Sequence, residues 1–172
     1  MESLKIIVFA GLPGSGKSTL AEGLAKSLKL PIFSVDPIES AILKSGEPRS
    51  FETGLAAYLV AEKLAGEQLK LGMSVIIDAV NGVKEARDTW RDLANKHDSE
   101  LKIIECVLSE EIHKKRIEAR IRNLDGIPEV TWDEVQKRKN EYLEWSEDRL
   151  VVDTEKNIEE NLKLVLEFVK QY

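Results

Sequence analysis

The sequence has a single cysteine, Cys106, in 172 residues, so no disulfide can form within the chain. It has two histidines, His97 and His113. Neither has a partner at metal-ligand or triad spacing, and both read as surface residues. Positive charge is in deficit: 25 lysines and arginines stand against 31 acids, for a net charge of -6. Affinity for a phosphate backbone comes largely from lysine and arginine, so a nucleic-acid partner is not expected. No apolar run approaches the roughly 18 residues of a membrane-spanning helix. The opening run MESLKIIVFAG is too short for a secretory core and reads as a buried strand. These absences point to a reducing cytoplasm. No repeat, low-complexity tract or linker divides the chain, so one domain over residues 1–172 is expected, as a monomer or homodimer.

What is present is an alternation. Residues 4–10 (LKIIVFA), 32–35, 73–78 (MSVIID), 101–107 (LKIIECV) and 149–153 are apolar and rich in β-branched residues, and read as strands. Helical patterns follow them at 17–29, Pro37 to Lys44, 51–71, 84–97, 109–121, 131–145 and from Asn157 onward. Thr131 and Glu134 are spaced as a capping box. Strand and helix in turn imply an α/β fold, a parallel sheet covered by helices on both faces. The one irregular stretch, NLDGIP, suits a lid over about 116–131.

Residues 11–19, GLPGSGKST, fit the spacing G-x-x-x-x-G-K-[ST] between a strand and a helix. Gly11, Gly14 and Gly16 permit close backbone approach. The N–H groups of the loop, including those of Ser15 and Thr19, together with the helix N-terminus form an anion cradle. Lys17 reaches the outer phosphates, and the Ser18 hydroxyl completes a magnesium shell. The expected ligand is ATP with Mg2+, since no NKxD-like run for guanine occurs.

Two carboxylates end strands at the same sheet edge. Asp78 closes MSVIID and is the candidate metal ligand. Asn81, in the turn after it, is a candidate for orienting substrate. Asp36 follows IFSV and is the candidate catalytic base, placed to orient an acceptor hydroxyl and take its proton. The run Asp36-Pro37-Ile38-Glu39 is also a good helix start, with Asp36 as N-cap and Glu39 as its partner.

Residues 112–124 gather Lys114, Lys115, Arg116, Arg120 and Arg122. Arg116 and Arg120 are four apart and share a helix face. They are the candidate lid arginines that neutralise a transferring phosphoryl group. Lys114 and Lys115 read as surface residues. Arg49, in GEPRSFETG, is a candidate substrate contact. Trp90 reads as core, Trp132, Tyr142 and Trp145 as packing, and Cys106 as an inert buried thiol.

With these residues in hand, the chain resembles the P-loop kinases of the small AAA-like ATP-binding group, which includes chloramphenicol phosphotransferase, zeta toxins and the kinase half of polynucleotide kinase. The resemblance rests on GLPGSGKSTLA (11–21), SVDPIESAI (34–42), VIIDAVN (75–81) and RIEARIR (116–122). It implies a three-layer fold, a sheet in the order 2-3-1-4-5, ATP–magnesium and phosphorylation of a hydroxyl. SVDPIESAI is similar to the segment whose aspartate is the base in chloramphenicol phosphotransferase. The pattern departs from polynucleotide kinases, which carry an arginine where Glu39 stands here. It also lacks the DGD of adenylyl-sulfate and gluconate kinases and the DxD of shikimate kinase. The expected function is therefore transfer of the γ-phosphoryl group of ATP to a small-molecule hydroxyl. A nucleotide-dependent ATPase or switch and a polynucleotide 5′-kinase are the alternatives.

Overall fold

A computed structural model describes residues 3–171. Five parallel strands form one sheet in the order β2-β3-β1-β4-β5: β1 Lys5–Ala10, β2 Ile32–Ser34, β3 Val75–Asp78, β4 Glu100–Val107 and β5 Leu150–Asp153. The helices are α1 Lys17–Leu28, α2 Val35–Lys44, α3 Phe51–Lys70, α4 Lys84–Lys96, α5 Glu110–Ala119, α6 Trp132–Glu141 and α7 Ile158–Lys170.

The alternation of side chains along β1 explains the three layers. Ile6 and Val8 point into a core with Val75, Ile77, Ala57, Ala61 and Trp90, under α3 and α4. Ile7 and Phe9 point the other way, into a core with Leu20, Leu24, Ile104, Val152 and Val165, under α1 and α7. A strand buried on both faces is apolar along most of its length, which is why Ile6 to Ala10 show no alternation in sequence.

The elements depart from the sequence reading at their ends, and two departures bear on the site. The strand before Asp36 stops at Ser34, and α2 begins at Val35. Asp36 therefore lies inside the first turn, and the N-cap is Ser34, whose side chain makes no capping bond. That hydroxyl instead donates to Asp78 Oδ2 at 3.0 Å. Further along, α5 ends at Ala119, and Arg120 is extended, with φ -80° and ψ 132°. Arg116 and Arg120 thus do not share a helix face. The capping box at Thr131 and Glu134 is present. No helix among the described residues is long and apolar enough to cross a membrane.

Candidate active site

The strand register brings the carboxylate of Asp78 to the centre of the sheet edge. Asp78 is paired with Phe9 of β1 on one side and Ser34 of β2 on the other. The chain leaving β1 turns at once into the phosphate loop, whose start is tied to the β3 turn by Gly11 N–H donating to the Val80 carbonyl at 3.2 Å. The loop is drawn tight against its surroundings. Gly14 has φ 77°, and a Cβ there would stand 2.6 Å from Ile117 Cδ1. A Cβ on Gly11 would stand 2.7 Å from the Cys106 carbonyl oxygen. Gly11 therefore excludes a side chain by backbone contact and by conformation, and Gly14 by conformation.

A cavity of about 580 Å³ opens beside the loop, walled by Gly14, Gly16, Lys17, Ser18 and Thr19, by Arg116 and Arg120, and by the turn after β5 at Thr154 and Lys156. Lys17, in the first turn of α1, is buried. The structure thus gathers the loop and both lid arginines around one space, but the arginines differ. Arg116 directs two guanidinium nitrogens onto Thr154, at 3.0 Å to Oγ1 and 2.7 Å to the carbonyl. Thr154 in turn donates to the Ser15 carbonyl at 2.7 Å. Arg116 is therefore a brace between α5 and the turn after β5. Arg120 has a buried Nη1 with no hydrogen-bond partner. Its guanidinium is destabilised in the charged form, first by burial and then by neighbouring Arg122. A donor in that state gains most from an arriving anion.

Asp78 is 5% exposed, and its Oδ1 has no hydrogen-bond partner. A buried carboxylate oxygen left unpaired is costly unless a cation meets it. Magnesium is held in such sites through one or two carboxylates together with substrate phosphates, so Asp78, with Ser18 in the cavity wall, fits a metal bound with the nucleotide.

Asp36 does not line this cavity, and its carboxylate meets the lid through Arg122. Arg122 Nη1 donates to Asp36 Oδ2 at 2.5 Å. Tyr58, whose hydroxyl accepts from the Asn81 N–H at 3.3 Å, is pushed up to about 12 by burial, with Asp36 and Asp78 adding to the shift.

Two expectations are corrected, those for Asn81 and His113. Asn81 is fully buried and its side chain is consumed internally. Its Nδ2 donates to the Phe9 and Ala79 carbonyls, and its Oδ1 accepts from Trp90 Nε1 at 2.7 Å. With φ 52°, it shapes the turn after β3 and has nothing left for substrate. Arg49 is exposed in the loop before α3 and makes no salt bridge among the described residues; it acts on Glu134 only through its field. His113 is not a surface residue: it is 5% exposed, its Nε2 lies 2.7 Å from the Pro13 carbonyl, and its ring meets Trp132 edge-on. Burial disfavours its imidazolium form. His113 buttresses the phosphate loop from behind, beside a second cavity of about 210 Å³ that it lines with Ser15, Cys106, Trp132 and Tyr142. Cys106 matches its expectation, a buried thiol pushed up to about 12 by desolvation.

Sequence reasoning missed Thr154 and Ser34 and left Arg122 without a role. The first two could have been found, since each closes or follows a strand at the edge where Asp78 lies.

A family model described as an AAA domain matches residues 6–142. The chain belongs to the AAA domain family. It is 30% identical over 139 residues to the bifunctional polynucleotide phosphatase/kinase of Schizosaccharomyces pombe, covering 80% of this chain and 30% of that protein. Among solved structures, a gluconokinase from Sinorhizobium meliloti superposes with a TM-score of 0.71 at 18% identity, over 98% of this chain and 93% of that one. The APS kinase CysC of Mycobacterium tuberculosis, solved with AMPPNP and APS, superposes with a TM-score of 0.73 at 17% identity, over 99% and 100%. The fold of this AAA domain chain is thus that of the small P-loop kinases. The chain spans less than a third of the curated relatives it matches first, at 30% and 28% of their length.

Proposed function

We propose that this AAA domain chain is an ATP-dependent kinase that transfers the γ-phosphoryl group to a hydroxyl of a small molecule. The observation that carries the reading is a pair of carboxylates at one sheet edge: Asp78, which ends β3 and is buried with one oxygen unpaired, and Asp36, in the first turn of α2 and kept accessible. The first fits a metal bound with the nucleotide, and the second fits the orienting of an incoming hydroxyl, or of water where no acceptor is bound. The loop N–H groups and Lys17 would hold the nucleotide phosphates in the cavity that they line with Thr154 and Lys156. Ser18 and Asp78 would hold magnesium together with the phosphates, and the metal would supply charge neutralisation at the transferring group. Asp36 orients the acceptor hydroxyl and takes its proton as the bond to phosphorus forms. Lys17 and Arg120 stabilise the charge on the equatorial and leaving oxygens.

The two solved kinases named above support the reading by analogy of fold. The Schizosaccharomyces pombe relative favours a second reading, a polynucleotide 5′-kinase acting on a 5′-hydroxyl. The net charge of -6 weighs against it.

A panel of hydroxyl acceptors, including a 5′-hydroxyl oligonucleotide, scored for acceptor-dependent ATP consumption, tests the reading. Phosphorylation of a small molecule and not of the oligonucleotide is expected. Brisk ATP hydrolysis that no acceptor alters would overturn it. In the same assay Asp36→Asn keeps MgATP affinity and loses about 100-fold or more in transfer, the scale of a lost general base.

A further inference from the structure

The strap from Arg120 to Val130 is fastened to α2, the helix that carries Asp36. Ser40 Oγ donates to the Asp125 carbonyl at 2.6 Å, and Lys44 pairs with the Asp125 carboxylate at 2.9 Å. Gly126, at φ 74°, packs so closely on Leu43 that a Cβ there would stand 3.0 Å from the leucine's own. Within the strap, Glu129 accepts from the N–H groups of Arg122 at 2.7 Å and Asn123 at 3.2 Å. This folds the strap back and sends the Arg122 side chain to Asp36. Arg122 is 13% exposed and Asp36 40%, so the arginine is sheathed while the carboxylate keeps an open side.

A base must hold its geometry to a fraction of an ångström, and a carboxylate on a free two-torsion arm does not do so unaided. A planar guanidinium fixed by a packed strap removes that freedom. In a loose phosphoryl-transfer transition state the base mainly orients its nucleophile, so an arginine on one oxygen leaves that task to the other.

We infer that Arg122 is a positioning residue that yokes Asp36 to the lid, so that strap and α2 move as one body and the base is aligned only while the strap is seated. The inference rests on the kinase reading for the role of Asp36.

Its test needs no acceptor, because water serves as the nucleophile. MgATP turnover is measured for the wild type, Arg122→Met, Asp36→Asn and the double variant. Arg122→Met is expected to lower kcat by about 10- to 100-fold, the scale of a group displaced by about 1 Å, with KM for ATP within about twofold. The double variant falls no further than Asp36→Asn, because Arg122 acts only through Asp36. Arg122→Lys restores part of the rate. Hydrogen exchange at the Arg122 and Asn123 amides quickens in Arg122→Met while the amides of β1 keep their protection, which separates a loosened strap from a loosened fold. Losses that multiply in the double variant, a change confined to KM, or a wild-type rate in Arg122→Met would overturn the yoke. So would water turnover indifferent to Asp36→Asn. Failure of the kinase reading is a different result: no hydroxyl in the acceptor panel is phosphorylated, whatever the water cycle gives.

Discussion

Asp78 holds one oxygen on Ser34 and leaves the other buried without a partner. Such a group stabilises the ligand-bound protein at the expense of the free one. Asp78→Asn keeps an acceptor for Ser34 and removes the unpaired charge. Ligand-free protein carrying it should melt higher than wild type by a few degrees, for about 1 kcal/mol gained in a chain of this size. Its MgATP turnover should fall by about 100-fold, the scale of one lost group at the developing charge. Differential scanning calorimetry and an ATP-turnover assay read the two signs separately. An aspartate that only shaped the turn would move neither in this way. Asn81, three residues on, shows the limit of reasoning at this scale. An asparagine at a strand end is compatible with binding or with turn formation, and only its three internal partners decide for the turn.

At the scale of elements, one buried side chain helps secure the return of the chain from the lid, beside the Leu143 N–H bond to the Gly82 carbonyl and the Arg91–Glu147 ion pair. Arg87 of α4 donates to the carbonyls of Asn81, Leu143 and Glu144 at 2.9, 2.6 and 2.8 Å. Its guanidinium lies 3.6 Å from the Trp145 ring centroid, with Tyr142 at 5.4 Å. Burial lowers the pKa of Arg87, and the nearby acids and Tyr142 oppose that shift. Arg87→Ala leaves three carbonyls without their donor and empties an aromatic slot. A loss of about 3 kcal/mol is expected, seen as a lower urea midpoint. A change within about 0.5 kcal/mol would mean that the segment after α6 is held by other contacts. The sequence marked Tyr142 and Trp145 as packing residues but not what they pack on, because their partner lies more than fifty positions away.

At the scale of the molecule, the cavity beside the loop joins α1, the end of α5 and the turn after β5. A ligand bridging three elements stabilises the folded chain as a whole. MgATP at about 100 times its Kd should add about 2.7 kcal/mol, a rise of roughly 5–10 °C in Tm for a domain of this length. ATP with a chelator in place of magnesium should give less, and Asp78→Asn should remove most of the difference. Equal shifts with and without magnesium would take Asp78 and Ser18 out of the metal site.

The parallel sheet, its layers and the phosphate loop were legible in the residues themselves, while the strand order came from the resemblance to the P-loop kinases. Fully apolar strands between amphipathic helices leave few ways to bury both faces, and the loop's glycines and lysine are local in sequence, as are its strand and helix. The tertiary structure alone decided which polar side chains are free. Arg116 and Arg120 look alike in RIEARIR, yet one is bound to Thr154, 38 positions on, and the other keeps a buried donor unpaired. Asp36 reads in sequence as either base or helix cap, and the contact with Arg122, 86 positions away, takes its carboxylate away from the helix end. A hydrogen bond across the fold depends on where two elements come to rest, and side-chain type does not encode that.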